Sequence, residues 1–506
     1  MLGPFATPPF KDLNVSPLMA TEQKTKVRPI LNLSAPVGNS LNDAVDKIKI
    51  RKLTMSSAKK FGQTLIRLGR YSKFAKSDLV DAYKLIPIHP SNWKYYGFKW
   101  LGKFFVDTTT PFGSNTAPAN FDDVGETLAN VVQTICKTPK ILIHRQLDDV
   151  PVIAPASSNL ASEFSNTYKK VCKSLNIEMA EPCKNNEKAF EVSTTGTVLG
   201  IEFNSETLTW KLPLIKRNES IWLINDFLKK EKCTLIELQK LHGKINDLTQ
   251  MCPFIKGFKY NQNKLLQEFE KVKIQYIEIS DELRKELTIW KNCINDNIQG
   301  FPIPKTVNEI PLFYIENFSD AAGAAYDPKN PDTPIKDDRG AAAITIVKGK
   351  MLYCTQTWWS YELISKYPHN SALFELIGVI IPFVTHPYIF SGQYVKCNVD
   401  NISILFAWAN KTIKSDIVLY KIFLILHLIE YAIPCKIFIE HSPRRSSWQT
   451  ILVDNLSRKI TTTEKDIKQI KNAKKQFLDG HLKSWIDNPE DILNPIQIID
   501  YLTNKL

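Results

Sequence analysis

Apolar positions change their period twice along this chain. Up to about residue 215, short β-like runs alternate with helical ones, and the stretch closes on two β-rich runs at 197–204 and 207–212. Such runs bounded by turn residues predict a strand pair, with Asn204, Ser205 and Glu206 as its hairpin turn. From about 216 the period lengthens: Leu235, Leu238, Leu241, Ile245 and Leu248 fall three and four residues apart, the spacing of one helix face. Residues 216–305 are therefore read as a helical module, ending in FPIPKTVNEIPL, whose three prolines suit a linker. A second α/β block occupies about 306–460 and opens on a strand at 312–318. Residues 461–506, rich in Lys, Asp and Ile, are read as a helical or loosely attached tail. The most apolar stretch, 373–390, is interrupted by Glu375, Pro382, His386 and Pro387. A membrane span needs a longer clean run, so this one predicts a buried helix followed by a turn.

At 506 residues the chain is long enough for two to four domains. Lys and Arg total 65 against 52 Asp and Glu, a net charge of +13, which favours a polyanionic partner such as nucleic acid. The nine Cys form no CxxC pair, so neither a zinc site nor a disulfide scaffold is expected. The first residues carry no basic stretch followed by an apolar core. Reduced thiols and the lack of a signal peptide point to an intracellular protein, cytoplasmic or nuclear, without membrane association.

Candidate chemistry centres on carboxylates. Metal-assisted phosphoryl transfer needs acidic groups that hold two Mg²⁺ about 4 Å apart. KSDLVDAYKLIPIHP places Asp78 before an apolar strand-like stretch, and ILIHRQLDDVPVIAP places Asp148 and Asp149 between two β-rich runs. The second pattern predicts a tight hairpin presenting both carboxylates at one sheet edge. Asp122 and Asp123, in the helical pattern ANFDDVGETLANVV, are read as a solvated helix face. Beyond the linker, Asp320 ends a strand and Glu375 sits in an apolar helix, where a lone carboxylate is costly without a partner or cation. Asp400 ends a second strand, and Asp454 lies near the start of a helix.

In motif order and spacing, residues 3–204 resemble a reverse transcriptase. TKVRPILNLS is similar to the fingers strand that grips the incoming triphosphate, matching Lys26 and Arg28. SDLVDAYKLIPIHP resembles the first catalytic motif, with Asp78 as metal ligand, Asp81 as a structural residue and Tyr83 as the gate against a ribose 2′-hydroxyl. PFGSNTAPANF resembles the turn and helix under the template, where Gly113 permits close backbone approach. QLDD matches the catalytic hairpin, making Asp148 the second metal ligand and Asp149 its neighbour. TVLGIEFN resembles the strand supporting the primer grip, and ELQKLHGKIN the start of a thumb. Lys184 and Lys188 are both candidates for a general-acid lysine. Gln146, Pro151 and Asn32 depart from the family pattern, which usually has Tyr, a β-branched residue and Asp there.

Asp320, Glu375, Asp400 and Asp454 as a set resemble the acidic tetrad of ribonuclease H, with His441 matching a histidine before the last aspartate. SPRRSSWQTILV departs from the loop usual at that point. The opening GPFATPPFKDLNVSPL followed by SAPVGNSLNDAV resembles the stretch upstream of the catalytic core in retrotransposons of the DIRS type, which integrate with a tyrosine recombinase. The resemblance implies a right-hand polymerase of fingers, palm with antiparallel sheet and helical thumb, followed by a ribonuclease H-like α/β domain. It further implies two Mg²⁺ per active site, with Mn²⁺ as an alternative, and an RNA template, a DNA primer, dNTPs and RNA–DNA hybrid as partners. No recombinase and no DTG or DSG protease signature is recognisable, so integration is expected to fall to another protein or another part of the polyprotein, and a recombinase and a Gag-like domain are further partners the resemblance implies. The rival expectation is a domesticated or decayed copy that binds nucleic acid without catalysis.

Overall fold

The computed structural model describes residues 1–22, 27–46, 50–53, 55–182, 188–249, 251–252, 255–272, 274–296, 298, 300–305, 313–323, 339–367, 370–411, 413, 417–458, 460, 464, 468, 470 and 472–476. The chain is mixed α/β and divides into two compact units, 1–213 with 299–305, and 214–298 with 306–506.

In the first unit the sheet that matters has three strands, ordered Asp149–Ala154, Lys73–Asp78, Phe190–Ser193, all antiparallel. Its central strand, KFAKSD, is buried along almost its whole length. Helices Ala117–Cys136 and Leu160–Ser174 cover it, burying Phe121, Leu128, Val132, Phe164 and Tyr168 against Ala75, Val150 and Val152. Pro151, which cannot donate to a ladder, is tolerated because its strand lies at the edge of this sheet, and its carbonyl accepts the His144 amide at 2.8 Å. The run expected as one strand at 197–204 is instead a hairpin, Thr195–Val198 and Ile201–Asn204. Leu199 and Gly200, at φ 50° and 78°, make the reversal. The turn after Asn204 forms as expected, with its side-chain oxygen accepting the amides of Glu206 and Thr207. The linker begins with structure of its own, since Phe301–Pro302 adds a fourth strand beside Thr209–Lys211.

The second unit opens with helices Leu214–Lys229, Leu235–Thr249, Tyr260–Val272 and Asp281–Asp296. A six-stranded sheet follows, ordered Lys436–His441, Tyr394–Val399, Ile315–Ala321, Gly340–Val347, Lys350–Trp358, Lys474–Gln476. The last of these corrects the reading of the tail, part of which pairs in parallel with Lys350–Trp358. Residues 477–506 lie outside the described residues. The apolar stretch is helix Ser371–Thr385 followed by a short 3₁₀ turn, Pro387–Ile389. Among the described residues, no helix is long and apolar enough to cross a membrane, and the described cysteines are free thiols.

Glu286 fastens helix Asp281–Asp296 to helix Ile417–Ala432. Its Oε1 accepts from the Tyr420 hydroxyl at 2.9 Å and from the Asn261 amide and side chain at 3.1 and 3.0 Å. Burial pushes this carboxyl up to about 7 against those hydrogen bonds. A folded-state value above the ordinary one means stability that is complete below about pH 4.5 and lost as pH rises through 7. Urea denaturation should therefore show a loss of about 3 kcal/mol across that window from this group. Glu286→Gln, which keeps the acceptor oxygen, should flatten the profile; an unchanged slope would rule the assignment out.

Candidate catalytic centres

The first centre lies at one end of the three-stranded sheet. Asp78, last in its strand, faces Asp149, first in the neighbouring one. Gln146 and Asp149 exchange backbone hydrogen bonds at 2.8 and 3.1 Å, so Leu147 and Asp148 form a two-residue turn, with Leu147 at φ 54°. The hairpin expected for Asp148 and Asp149 thus forms, and it brings the pair to the sheet edge where Asp78 ends its strand. Burial, then Asp148 and Asp149, pushes the Asp78 carboxyl up to about 7. The buried Lys76, one residue pair along the strand from Asp78, answers with its Nζ 3.3 Å from Asp149 Oδ1. Lys76 was missed, although its two-residue spacing from Asp78 sets both on one strand face.

Tyr83 sits on the 3₁₀ turn Ala82–Leu85, its ring 5.3 Å from Phe112 and 6.0 Å from Phe121. Its hydroxyl is pushed up by burial and then by Asp148. Arg28 lies over the other neighbour, its guanidinium carbon 4.4 Å from the centre of the Phe112 ring. A chain of contacts therefore runs from strand Val27–Leu31 through Phe112 to Tyr83, whose hydroxyl feels the charge of Asp148 in the turn. Arg28, Asp81, Lys84 and Asp107 line a cleft of about 540 Å³ there. Asp81 takes the left-handed conformation at φ 46°. Lys26 and Lys184 lie outside the described residues, whereas exposed Lys188 lowers the Asp78 and Asp149 carboxyls electrostatically.

Gly113 does permit close backbone approach, but to the chain's own strand. At φ 110°, a Cβ added there would sit 2.0 Å from the Leu31 carbonyl oxygen, and the Gly113 carbonyl accepts from Asn42 at 2.8 Å. The reading of Asp122–Asp123 also needs correction. Asp123 is exposed, but Asp122 is buried at 3% exposure and paired with Arg51 and Arg145. Gly125, one helical turn on, leaves the room Arg145 occupies: a Cβ there would lie 2.8 Å from Nη1.

The second centre belongs to the six-stranded sheet. Asp320 is on strand Ile315–Ala321, Asp400 follows its parallel neighbour Tyr394–Val399, and Glu375 projects from helix Ser371–Thr385. Their ligand atoms all lie within 4.8 Å of one another. Asp320 accepts from Ser457 Oγ at 2.5 Å, and Glu375 Oε2 is buried without a hydrogen-bond partner among the described residues. Burial is the main force raising both: Asp320 to about 6, aided by Asp400, and Glu375 well above its ordinary value, aided by Asp320 and Asp400.

No protein-family model and no curated protein sequence matches this chain. Solved structures similar to it include the foamy viral protease-reverse transcriptase dRH in complex with dsDNA, at TM-score 0.48 and 15% identity, covering 86% of this chain and 66% of that one. The foamy viral protease-reverse transcriptase with dsDNA gives 0.47, 16%, 86% and 78%. The same protein with an RNA/DNA hybrid gives 0.35, 13%, 88% and 73%.

Asp454 is not brought into the acidic trio. It lies late in helix Trp448–Ser457, not near its start, and its carboxylate is held by Arg444, Arg445 and Arg458. His441 ends its strand, exposed. The remaining three acids fit a hard cation: all offer oxygen, and Glu375 Oε2 is buried with no hydrogen-bond donor among the described residues. Lys230, just beyond helix Leu214–Lys229, is engaged by Asp226 and Glu237. Lys240 and Lys244 line an open groove of about 630 Å³ with Glu219, Gln239, Gly243 and the exposed Trp222, and Lys244 Nζ lies 2.9 Å from Glu219 Oε2.

Proposed function

We propose that this chain is an RNA-directed DNA polymerase with a ribonuclease H, the corresponding portion of a retrotransposon polyprotein of DIRS type. The subtype rests on the opening segment alone. Fingers and palm would occupy 1–215, the thumb 216–305 and the nuclease 306–460. What supports this best is the pair of acidic centres, each at the end of its own sheet in its own compact unit.

Asp78 and Asp148 are the groups placed to hold Mg²⁺ in the first centre, and Asp320, Glu375 and Asp400 in the second. Divalent cations bound there would activate the attacking oxygen and steady the leaving group. Lys76 holds Asp149 in place, leaving Asp148 at the open turn. Arg28 neutralises the triphosphate, stacked on Phe112, which also positions Tyr83 as the gate selecting deoxyribose. The groove of Gln239, Lys240, Gly243, Lys244 and Trp222 supplies lysines for a phosphate backbone and a small residue for close approach. Given a DNA-primed RNA template, dNTPs and Mg²⁺ or Mn²⁺, the intact chain should extend the primer and shorten the RNA of a hybrid. Inactivity in both assays would overturn the proposal.

A further inference from the structure

The arginines around Asp454 take no part in the mechanism above, yet they rim the nuclease centre. Asp454 Oδ1 accepts from Arg444 Nε and Nη2 at 2.8 and 2.5 Å and from Arg458 Nε at 2.9 Å. Its Oδ2 accepts from Arg445 Nη1 at 2.9 Å. A carboxylate enclosed by three guanidinium groups is poorly suited to a divalent cation, which those positive charges repel. Arg445 adopts φ 54°, a left-handed reversal that brings two consecutive arginines onto one carboxylate. Arg458 also reaches Asp320 Oδ2 at 3.7 Å, tying the arginine group to the trio.

Arg444 shares a cleft with two members of the trio. It lines the narrow cleft formed by Asp320, Asn398, Asp400 and Ser442. Two of its nitrogens on Asp454 fix the plane of the guanidinium, and its side chain is still half exposed. A planar fork held at the edge of a carboxylate cluster suits one ligand class above others, the phosphodiester. We propose that Asp454 is a positioning residue rather than a fourth metal ligand, and that it aims Arg444 at the phosphodiester of the RNA strand engaged by the Asp320, Glu375 and Asp400 centre. The inference rests on the ribonuclease H reading. It also accounts for SPRRSS, the segment where the chain departs from the loop usual in that family.

The test combines Mn²⁺ calorimetry on the intact chain without nucleic acid and steady-state cleavage of an RNA–DNA hybrid. Asp400→Asn defines the Mn²⁺-binding component that belongs to the trio. That component should persist in Asp454→Asn and in Arg444→Gln. Both variants should raise KM for the hybrid by about tenfold, and the double variant should be no worse than either single one. Loss of the component in Asp454→Asn, or a wild-type KM in Arg444→Gln, would overturn the assignment. Arg444 is half exposed, so its variant reports even where Asp454→Asn fails to fold. Should Asp400→Asn remove no Mn²⁺ component, the ribonuclease H reading itself falls, and this inference with it.

Discussion

Asp78→Asn and Asp148→Asn should each lower dNTP incorporation on primed RNA by about a thousandfold, with hybrid cleavage unchanged within about twofold. The size follows from what each group does. Asp78 is buried at the end of its strand, and burial together with Asp148 and Asp149 pushes its carboxyl up to about 7. In the cation-free chain the ionised form is a source of repulsion, so Asn removes charge without removing anything that holds the fold. The sign is clear: a raised folded value gives stability that is full below the ordinary carboxylate range and lost as pH rises through 7. Asp78→Asn should therefore unfold no more easily than wild type at pH 8, and a missing extension product must be a chemical loss. Extension retained by either variant would remove both residues from the reaction. No extension by the wild type, with Mg²⁺ or Mn²⁺, and with hybrid binding intact, would favour a protein that binds nucleic acid without catalysis.

The legible parts of this molecule were those set by local pattern. The hairpin at Asp148 and Asp149 could be read because acidic residues between two β-rich runs have few other places to go. Helix 235–249 followed from its leucines. Asp320, Glu375 and Asp400, which the structure brings together, were grouped in the sequence only by the resemblance to ribonuclease H, and with Asp454 as a fourth. What stayed hidden depends on partners distant in sequence. Asp122 looks like a surface acid until Arg51 and Arg145, 71 and 23 residues away, close on it. Asp454 resembles a ligand by motif, but its orientation was decided by three arginines, two of them in the loop whose sequence departs from the family. Phe301–Pro302 reads as linker because a two-residue strand carries no periodicity. Lys76 is a different case, since the signal was present as KSD and went unused.

Glu375→Gln should abolish hybrid cleavage, by about a thousandfold, and leave primer extension intact. Glu375 is buried beside Asp320 and Asp400, and burial together with their charges pushes its carboxyl well above the ordinary range, favouring the neutral form until a cation arrives. Gln keeps the shape of the side chain and its favoured neutral form, so the cation-free variant should unfold no more easily than wild type. The difference must appear when metal is added. Binding requires the deprotonated acids, so protons and Mn²⁺ compete for the same oxygens. With Asp320 raised to about 6 by burial and Asp400, the cation-free chain loses stability as pH rises through that value, and bound Mn²⁺ restores it. Mn²⁺ should consequently raise Tm at pH 7.5 far more than at pH 5 in wild type, and this pH-dependent gain should shrink in Glu375→Gln. An equal gain at both pH values would mean that Mn²⁺ stabilises the chain elsewhere, and the trio would lose its claim to be the nuclease centre.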